Sequence, residues 1–333
     1  MFNLAKELVK FAYKCSRGGV LVSHEEGFVQ REIERKLRKI AARYAGIKSP
    51  NNERFFNEHR NDKSYICILD SISFDLELCG FSIKGSILDL GSGCGTFVKV
   101  CKDRNLEAAG VDPDTEKIEV AKLKGAGGGI VRGVGEYLPF KDESFDVVTS
   151  MSVLEHVQSP EKVLYETIRV LNRKAVLWLS VPDYSRTFYE GHYELFWLPL
   201  MPKRIAKIYV RLRGRTNTKH IDSIQYITRR SVMNALLNLN TRVIDMDETR
   251  INYVHKQAQV QARTDCLTKM VTPGKIQSRY WRNVIEFLKW AGVGEKVLSR
   301  LCELLIPIYI FISFLKQKLR LKKGNITLVV QKF

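Results

Sequence analysis

The sequence predicts a doubly wound α/β fold: a seven-stranded sheet, mostly parallel with its last strand antiparallel, bearing a helical N-terminal extension and helical insertions. Three observations lead there. Short apolar runs alternate with helix-length stretches from residue 86 to 182, the rhythm of strands covered on both faces. The first run, ILDL at 87–90, ends in the glycine turn GSGCG. Two later runs, TRVIDMD (241–247) and NITLVVQ (325–331), supply the remaining strands.

In chain order, residues 1–83 read as a mostly helical extension. HEEGFVQREIERKLRKIAARYA (24–45) and KSYICILDSISFDLELCG (63–80) interleave charged and apolar positions as helices do. The opening MFNLAKELVKFAYK is amphipathic, and lysines interrupt its apolar runs, unlike a signal peptide. The core is expected over 84–182, with strands at 86–90, 107–111, 129–132, 145–150 and 175–181. Its helices fall at about 94–104, 114–124 and 160–171. Residues 183–226 read as a helical substrate lid. From 227 to 333 the chain returns to the sheet through a helix at 228–240 and the two late strands, around a second helical insertion at 250–322.

Composition bounds the classes. Apolar residues make up 45% and charged residues 27%, the balance of a folded globular chain. The seven cysteines form no CxxC pair and no metal-ligand spacing, so a reduced, cytoplasmic protein without a metal is expected. The net charge of +18 is uneven: Lys84–Pro182 holds 13 basic and 14 acidic residues, so the basic excess lies in the flanks. Such flanks suit an anionic partner, whether a membrane surface, an acidic acceptor or nucleic acid, or else are ordinary solvated helix faces.

The glycine turn is GxGxG, with glycines at 91, 93 and 95. It is neither the GxGxxG of dinucleotide binding nor a P-loop, whose Lys-Ser/Thr it lacks. Asp112 closes the next strand about twenty residues on, where a carboxylate either accepts a ribose diol or caps the helix beginning near Pro113. A third stretch, GVGEYLPFKDESFDVVTSMSVLEHV (133–157), adds a turn, an acidic loop and a buried strand.

With these motifs, residues 84–182 resemble the class I S-adenosylmethionine-dependent methyltransferases, in particular the small-molecule group that shares LPF…FDVV…LEHV. The resemblance implies a Rossmann-like core, S-adenosyl-L-methionine as cofactor, and O- or C-methylation of a small-molecule, glycan or lipid-linked acceptor. It also implies that Gly91, Ser92, Gly93, Cys94 and Gly95 form the cofactor loop and that Asp89 orients the amino group or holds that loop. Asp112 would bind the ribose diol, Pro113 would flank the adenine, Glu136 and Tyr137 would lie at the adenine edge, and Ser150 and Met151 would line the cofactor after the fourth strand. One departure stands out: where the family often has an Asp before the position of Gly135, this chain has Val134.

An acceptor hydroxyl needs a base. Glu155 and His156, just past the fourth strand, and His192 in the first insertion are the candidate catalytic residues; His156 suits a structural helix start as well. On a helix Lys203, Lys207 and Arg211 form one cationic stripe behind Tyr193, Phe196 and Trp197. Residues 203–215 therefore suit an anionic membrane surface, or an ordinary lid. The same holds for 301–323, whose apolar part is too short to span a bilayer and is either a buried helix or a surface anchor. Peripheral attachment at the inner membrane face would follow. The basic flanks make an RNA methyltransferase the alternative reading, against which the fourth strand ends in TSMSV, without an Asn/Asp-Pro-Pro-Tyr signature or a Pro-Cys nucleophile; a non-catalytic relative, hinted at by Val134, is the third.

Overall fold

A computed structural model describes residues 24–43, 62–253, 256 and 325–333. The chain divides into two compact units, Met1–Ile244 with Gly324–Phe333, and Asp245–Lys323. In the second unit the described residues are helical over 246–253. The opening 14 residues, most of the expected 250–322 insertion and its 301–323 segment lie outside the described residues.

The first unit is built on one seven-stranded sheet in the order β3-β2-β1-β4-β5-β9-β8. Its strands are β1 (Ser86–Leu90), β2 (Glu107–Asp112), β3 (Ile130–Arg132), β4 (Phe145–Met151), β5 (Leu171–Pro182), β8 (Thr241–Asp245) and β9 (Asn325–Lys332). β1 pairs in parallel with both β2 and β4, β2 with β3, and β4 with β5, while β9 runs antiparallel to β5. The expected fold class is the observed one. β5 begins four residues earlier than its apolar run, because Leu171 already pairs with Phe145 before a register shift. β8 ends two residues early: Asp245 accepts the Asp247 amide at 3.0 Å and the Thr249 hydroxyl on its carbonyl at 2.7 Å, which turns the chain into a helix.

Helices cover both faces. α5 (Pro160–Val170) starts where the Ser159 side chain caps the Lys162 amide and Pro160 needs no partner for its missing N–H. It lays Val163, Leu164 and Ile168 on Leu88, Val148 and Leu177 of the sheet, together with Val232 and Leu236 of α8 (Arg229–Leu237). α3 (Thr96–Asp103) buries Phe97, Val98 and Cys101. α2 (Lys63–Leu78) buries Leu69, Ile72 and Leu76 and is tied to β5 by the Trp178 indole donating to Asp75 at 2.8 Å.

The extension helix α1 (His24–Ala42) packs Ile33, Leu37 and Ile40 against Val120 of α4 (Thr115–Leu123). Alongside, Lys36 meets Glu119 at 2.7 Å, Lys39 meets Glu116 at 2.8 Å and Arg43 meets Asp114 at 2.8 Å. Part of the basic flank is therefore matched by Asp114, Glu116 and Glu119 at and within α4.

Residues 183–226, expected to be helical, open instead with a two-stranded ribbon, β6 (Tyr189–Glu190) and β7 (Leu195–Phe196), followed by α6 (Lys203–Leu212) and α7 (Lys219–Ser223). This segment has a small core of its own, in which Tyr193, Leu195, Trp197, Met201, Ala206, Val210 and Ile221 are buried together.

Candidate functional site

The sheet order reverses between β1 and β4, and a crevice must open where the chain leaves those strands in opposite directions. A cleft of about 720 Å³ lies there, a volume within the range of small-molecule sites. Its floor includes Leu90, Gly91, Val111, Asp112 and Pro113; its rim carries Val134, Glu136, Tyr137, His156, His192 and His220.

The floor follows from the glycine turn. Gly91 has φ +73°, and a Cβ there would stand 2.5 Å from a Val153 methyl. Gly95 has φ +70°, and a Cβ would meet Ala121 and Ile130 at 2.6 Å, so α3 starts only after it, at Thr96. The end of β2 holds the loop: Gly91 and Ser92 donate to the Val111 carbonyl at 2.9 and 3.0 Å. Asp112 is buried and accepts the Gly93 amide on one oxygen and the Asp114 amide on the other, each at 2.9 Å. The helix cap foreseen at Asp112 falls to Asp114, whose side chain accepts from Glu116 and Lys117. Two lone pairs of the Asp112 carboxylate remain for a ligand with paired hydroxyls.

Asp89 sits below this floor, not on it. It is buried and accepts from the Thr149 hydroxyl at 3.0 Å. Burial pushes its carboxyl up to about 7, with Asp112 adding to the rise against the Thr149 hydrogen bond. Ser92, Ser150 and Cys94 are buried as well, and none of them lines the cleft. Cys94 packs against Ile33, Leu37 and Ile40 of α1, and burial raises its thiol to about 11, which makes it inert as a nucleophile. Gly93, Gly95 and Met151 also stay off the cleft wall, while Ser152 and Val153, just beyond β4, line it. Glu136 faces the cleft, but its Oε1 accepts the Gln158 and Ser159 amides at 2.8 and 3.3 Å and so staples the rim to the start of α5. Tyr137 is exposed, with the Lys162 ammonium 3.3 Å above its ring centre. Val134, where an acid was expected, is exposed on the rim.

The rim opposite the glycine turn brings two of the candidate catalytic residues together. His156 follows β4 on a short 3₁₀ turn, Leu154–His156, and His192 stands in the β6–β7 turn. Their Nε2 atoms are 3.1 Å apart. Two residues not foreseen complete the cluster. Glu190, on β6, has its carboxylate 2.6 Å from His192 Nδ1 and accepts the Tyr193 amide at 2.7 Å and the Tyr184 hydroxyl at 3.3 Å. His220, on α7, has its ring centre 4.5 Å from that of His192 and 5.6 Å from that of His156. The only local signal for this arrangement was the Glu-x-His spacing at 190–192.

Charges in the cluster are set by burial and by one another. Burial raises the Glu190 carboxyl, but the His192 hydrogen bond and charge, with the Tyr193 amide, outweigh it and hold the group below the usual carboxylate range. At His156 burial and the two neighbouring imidazoles push the pKa down to about 3, although the residue as a whole is exposed on the cleft rim. Glu155 is fully buried behind His156; neither carboxylate oxygen has a hydrogen-bond partner among the described residues, and burial raises it to about 7. It does not line the cleft.

Comparison with known proteins gives three findings. Residues 88–179 match the model of the methyltransferase domain family. An uncharacterized methyltransferase of Mycobacterium sp. (strain JLS) is 40% identical over 129 residues, which is 39% of this chain and 51% of that protein. One from Mycobacterium tuberculosis (strain ATCC 25618 / H37Rv) is 34% identical over 131 residues, again 39% and 51%. The chain thus spans about half the length of the curated relatives it matches. The solved structure of a SAM-dependent methyltransferase from Thermotoga maritima aligns at 20% identity with a TM-score of 0.39, over 63% of this chain and 83% of that one.

Proposed function

We propose, from the premise that residues 88–179 are a class I S-adenosylmethionine-dependent methyltransferase domain, that this chain transfers a methyl group to an acceptor seated beside His156 and His192. One observation carries the reading: the glycine turn and Asp112 on one side, and two histidines from separate segments on the other, face the same cleft. A cofactor held by the first group would present its reactive end to the second.

The residues fit that cofactor. The cleft volume is adequate, Gly91 lines it, and the Asp112 carboxylate keeps acceptor capacity for a ribose diol. When bound, S-adenosylmethionine supplies a methyl group already activated by the sulfonium charge. What remains for the protein is alignment of the acceptor, exclusion of water and removal of a proton. The Glu190 carboxylate fixes the Nδ1–H tautomer of His192, so that Nε2 turns a lone pair toward His156 and the cleft. This pair is the base we assign, for an oxygen or acidic carbon acceptor.

We further propose that the acceptor is lipid-linked and reached from an anionic membrane surface through α6. On this helix Lys203 and Lys207 are drawn to α7, donating to the Asp222 carbonyl at 2.9 Å and pairing with its carboxylate at 2.6 Å. The outward face is instead Arg204, Ile205, Ile208, Arg211 and Leu212; the isoleucines and Leu212 are 57, 60 and 80% exposed. Apolar side chains flanked by arginines suit a headgroup boundary. No described helix is long and apolar enough to cross a membrane.

The test is a labelled-methyl assay with membrane lipid extract and, in parallel, RNA. His192→Ala should lower transfer to lipid roughly 10²–10⁴-fold, the worth of a general base, while cofactor affinity stays unchanged. Label in RNA alone would contradict the acceptor assignment, and unaltered turnover in the variant would remove His192 from the chemistry.

A further inference from the structure

Three of the six histidines of this chain meet at one point. His156, His192 and His220 come from the segment after β4, from the β6–β7 turn and from α7, so no single local motif accounts for their meeting. One ring nitrogen from each lies within 4.8 Å of the other two. For an ion bound tetrahedrally by imidazoles at about 2.0–2.1 Å, ligand nitrogens stand about 3.3 Å apart. The His156–His192 separation of 3.1 Å already matches, and the third nitrogen needs only a modest approach. His156 and His192 are inclined at 85° and His192 and His220 at 61°, so these pairs converge edge to face and do not stack.

Two more features belong to a metal centre. His192 is backed by a buried carboxylate at 2.6 Å on its Nδ1, the outer-sphere contact that turns Nε2 toward an ion and raises its basicity. Glu190 is itself held by Tyr184 and the Tyr193 amide, so the support is rigid. A second buried carboxylate, Glu155, lies close enough to interact with both Glu190 and His192. Two acids buried around a cluster of imidazoles make a place that a dication would neutralise.

We propose that His156, His192 and His220 bind one divalent transition-metal ion of the zinc class at the acceptor side of the cleft, with Glu190 as the outer-sphere carboxylate of His192. Three protein ligands leave one position open toward the cleft that all three residues line. That position takes an oxygen of the acceptor, a hydroxyl or a neighbouring carbonyl, and so selects acceptors that present such an oxygen. The acceptor role rests on the transferase reading; the metal site does not. With the ion bound, the metal would lower the hydroxyl pKa so that its proton passes to solvent water in the open cleft, in place of the Glu190–His192 pair, whose Nε2 is then a ligand.

The experiment uses the full chain, stripped with a chelator and titrated with Co²⁺ under visible spectroscopy, then competed with Zn²⁺. One equivalent should bind with the intense bands of a tetrahedral site and be displaced by Zn²⁺. His220→Gln and His156→Ala should each weaken binding at least tenfold, and Glu190→Gln should weaken it 10–100-fold with the stoichiometry kept. Circular dichroism and cofactor calorimetry on His220→Gln, a substitution at a half-buried position on the short helix α7, check that the fold is intact. Absence of Co²⁺ bands, or binding indifferent to His156 and His220, would overturn the proposal. Metal bound without any S-adenosylmethionine binding would leave the site standing and sink the transferase reading; the reverse result would spare the transferase and sink the site.

Discussion

At Asp89 one buried carboxyl links the sheet to the stability of the molecule. An unfolded aspartate titrates near 3.9, whereas in the fold burial raises this group to about 7. Between those values the folded state keeps a proton that the unfolded chain releases. The stabilisation carried by protonated Asp89 is therefore complete below about pH 4 and is lost as pH rises through about 7. Asp89→Asn keeps an acceptor for the Thr149 hydroxyl and cannot ionise. In urea denaturation, the stability of wild type relative to this variant should fall by roughly 2–3 kcal/mol between pH 5 and pH 8. A difference that stays constant with pH would show that Asp89 is not the group responsible. Asp112, buried but on the cleft floor, does different work: its oxygens organise backbone amides and leave room for a ligand.

At the scale of elements, α6 has two apolar faces. Ala206 and Val210 are buried in the small core of the insertion, and Ile205, Ile208 and Leu212 face outward. The first face explains why the helix folds where it does; the second has no partner in that core. Arg204 and Arg211 frame it, and each basic residue near an anionic leaflet is worth about 1 kcal/mol. Arg204→Glu with Arg211→Glu should therefore cut sedimentation with phosphatidylserine vesicles by roughly tenfold or more, and leave binding of S-adenosylmethionine untouched. Partition unaffected by that double change would remove α6 from any membrane contact. Residues around α1 behave differently. Its basic side chains are engaged by Glu119, Glu116 and Asp114, pairs that are partly exposed and each worth at most about 1 kcal/mol, so its apolar seam through Leu37 and Ile40 carries more of the docking.

For the whole molecule, what sequence could reveal was set by how local each signal is. The run Ile87–Leu90 before GxGxG, and Asp112 at the end of the next strand, were legible because strand, turn and helix follow one another within a few residues. The mostly parallel sheet with an antiparallel last strand was legible too, whereas the strand order emerges only in the fold. The start of β5 was hidden because Asn172, Arg173 and Lys174 look like a loop, and Lys174 does adopt φ +64°. Glu190 and His220 were not legible as site residues: they reach His192 and His156 through the packing of Tyr193, Trp197 and Ile221, a tertiary fact with no sequence period. The spacing of Lys203, Lys207 and Arg211 marks the helix α6 but says nothing of the segment before it, where Glu190 and Leu195 pair as a ribbon around His192.

The proposed methyl transfer requires the glycine turn and Asp112 to hold an adenosyl sulfonium cofactor opposite the histidines. Isothermal calorimetry of the purified chain with S-adenosylmethionine tests it most directly. One site per chain is predicted, weakened roughly tenfold to a hundredfold by Asp112→Ala, the worth of one or two hydrogen bonds to a charged group. No heat of binding, or an affinity that ignores Asp112, would contradict the account.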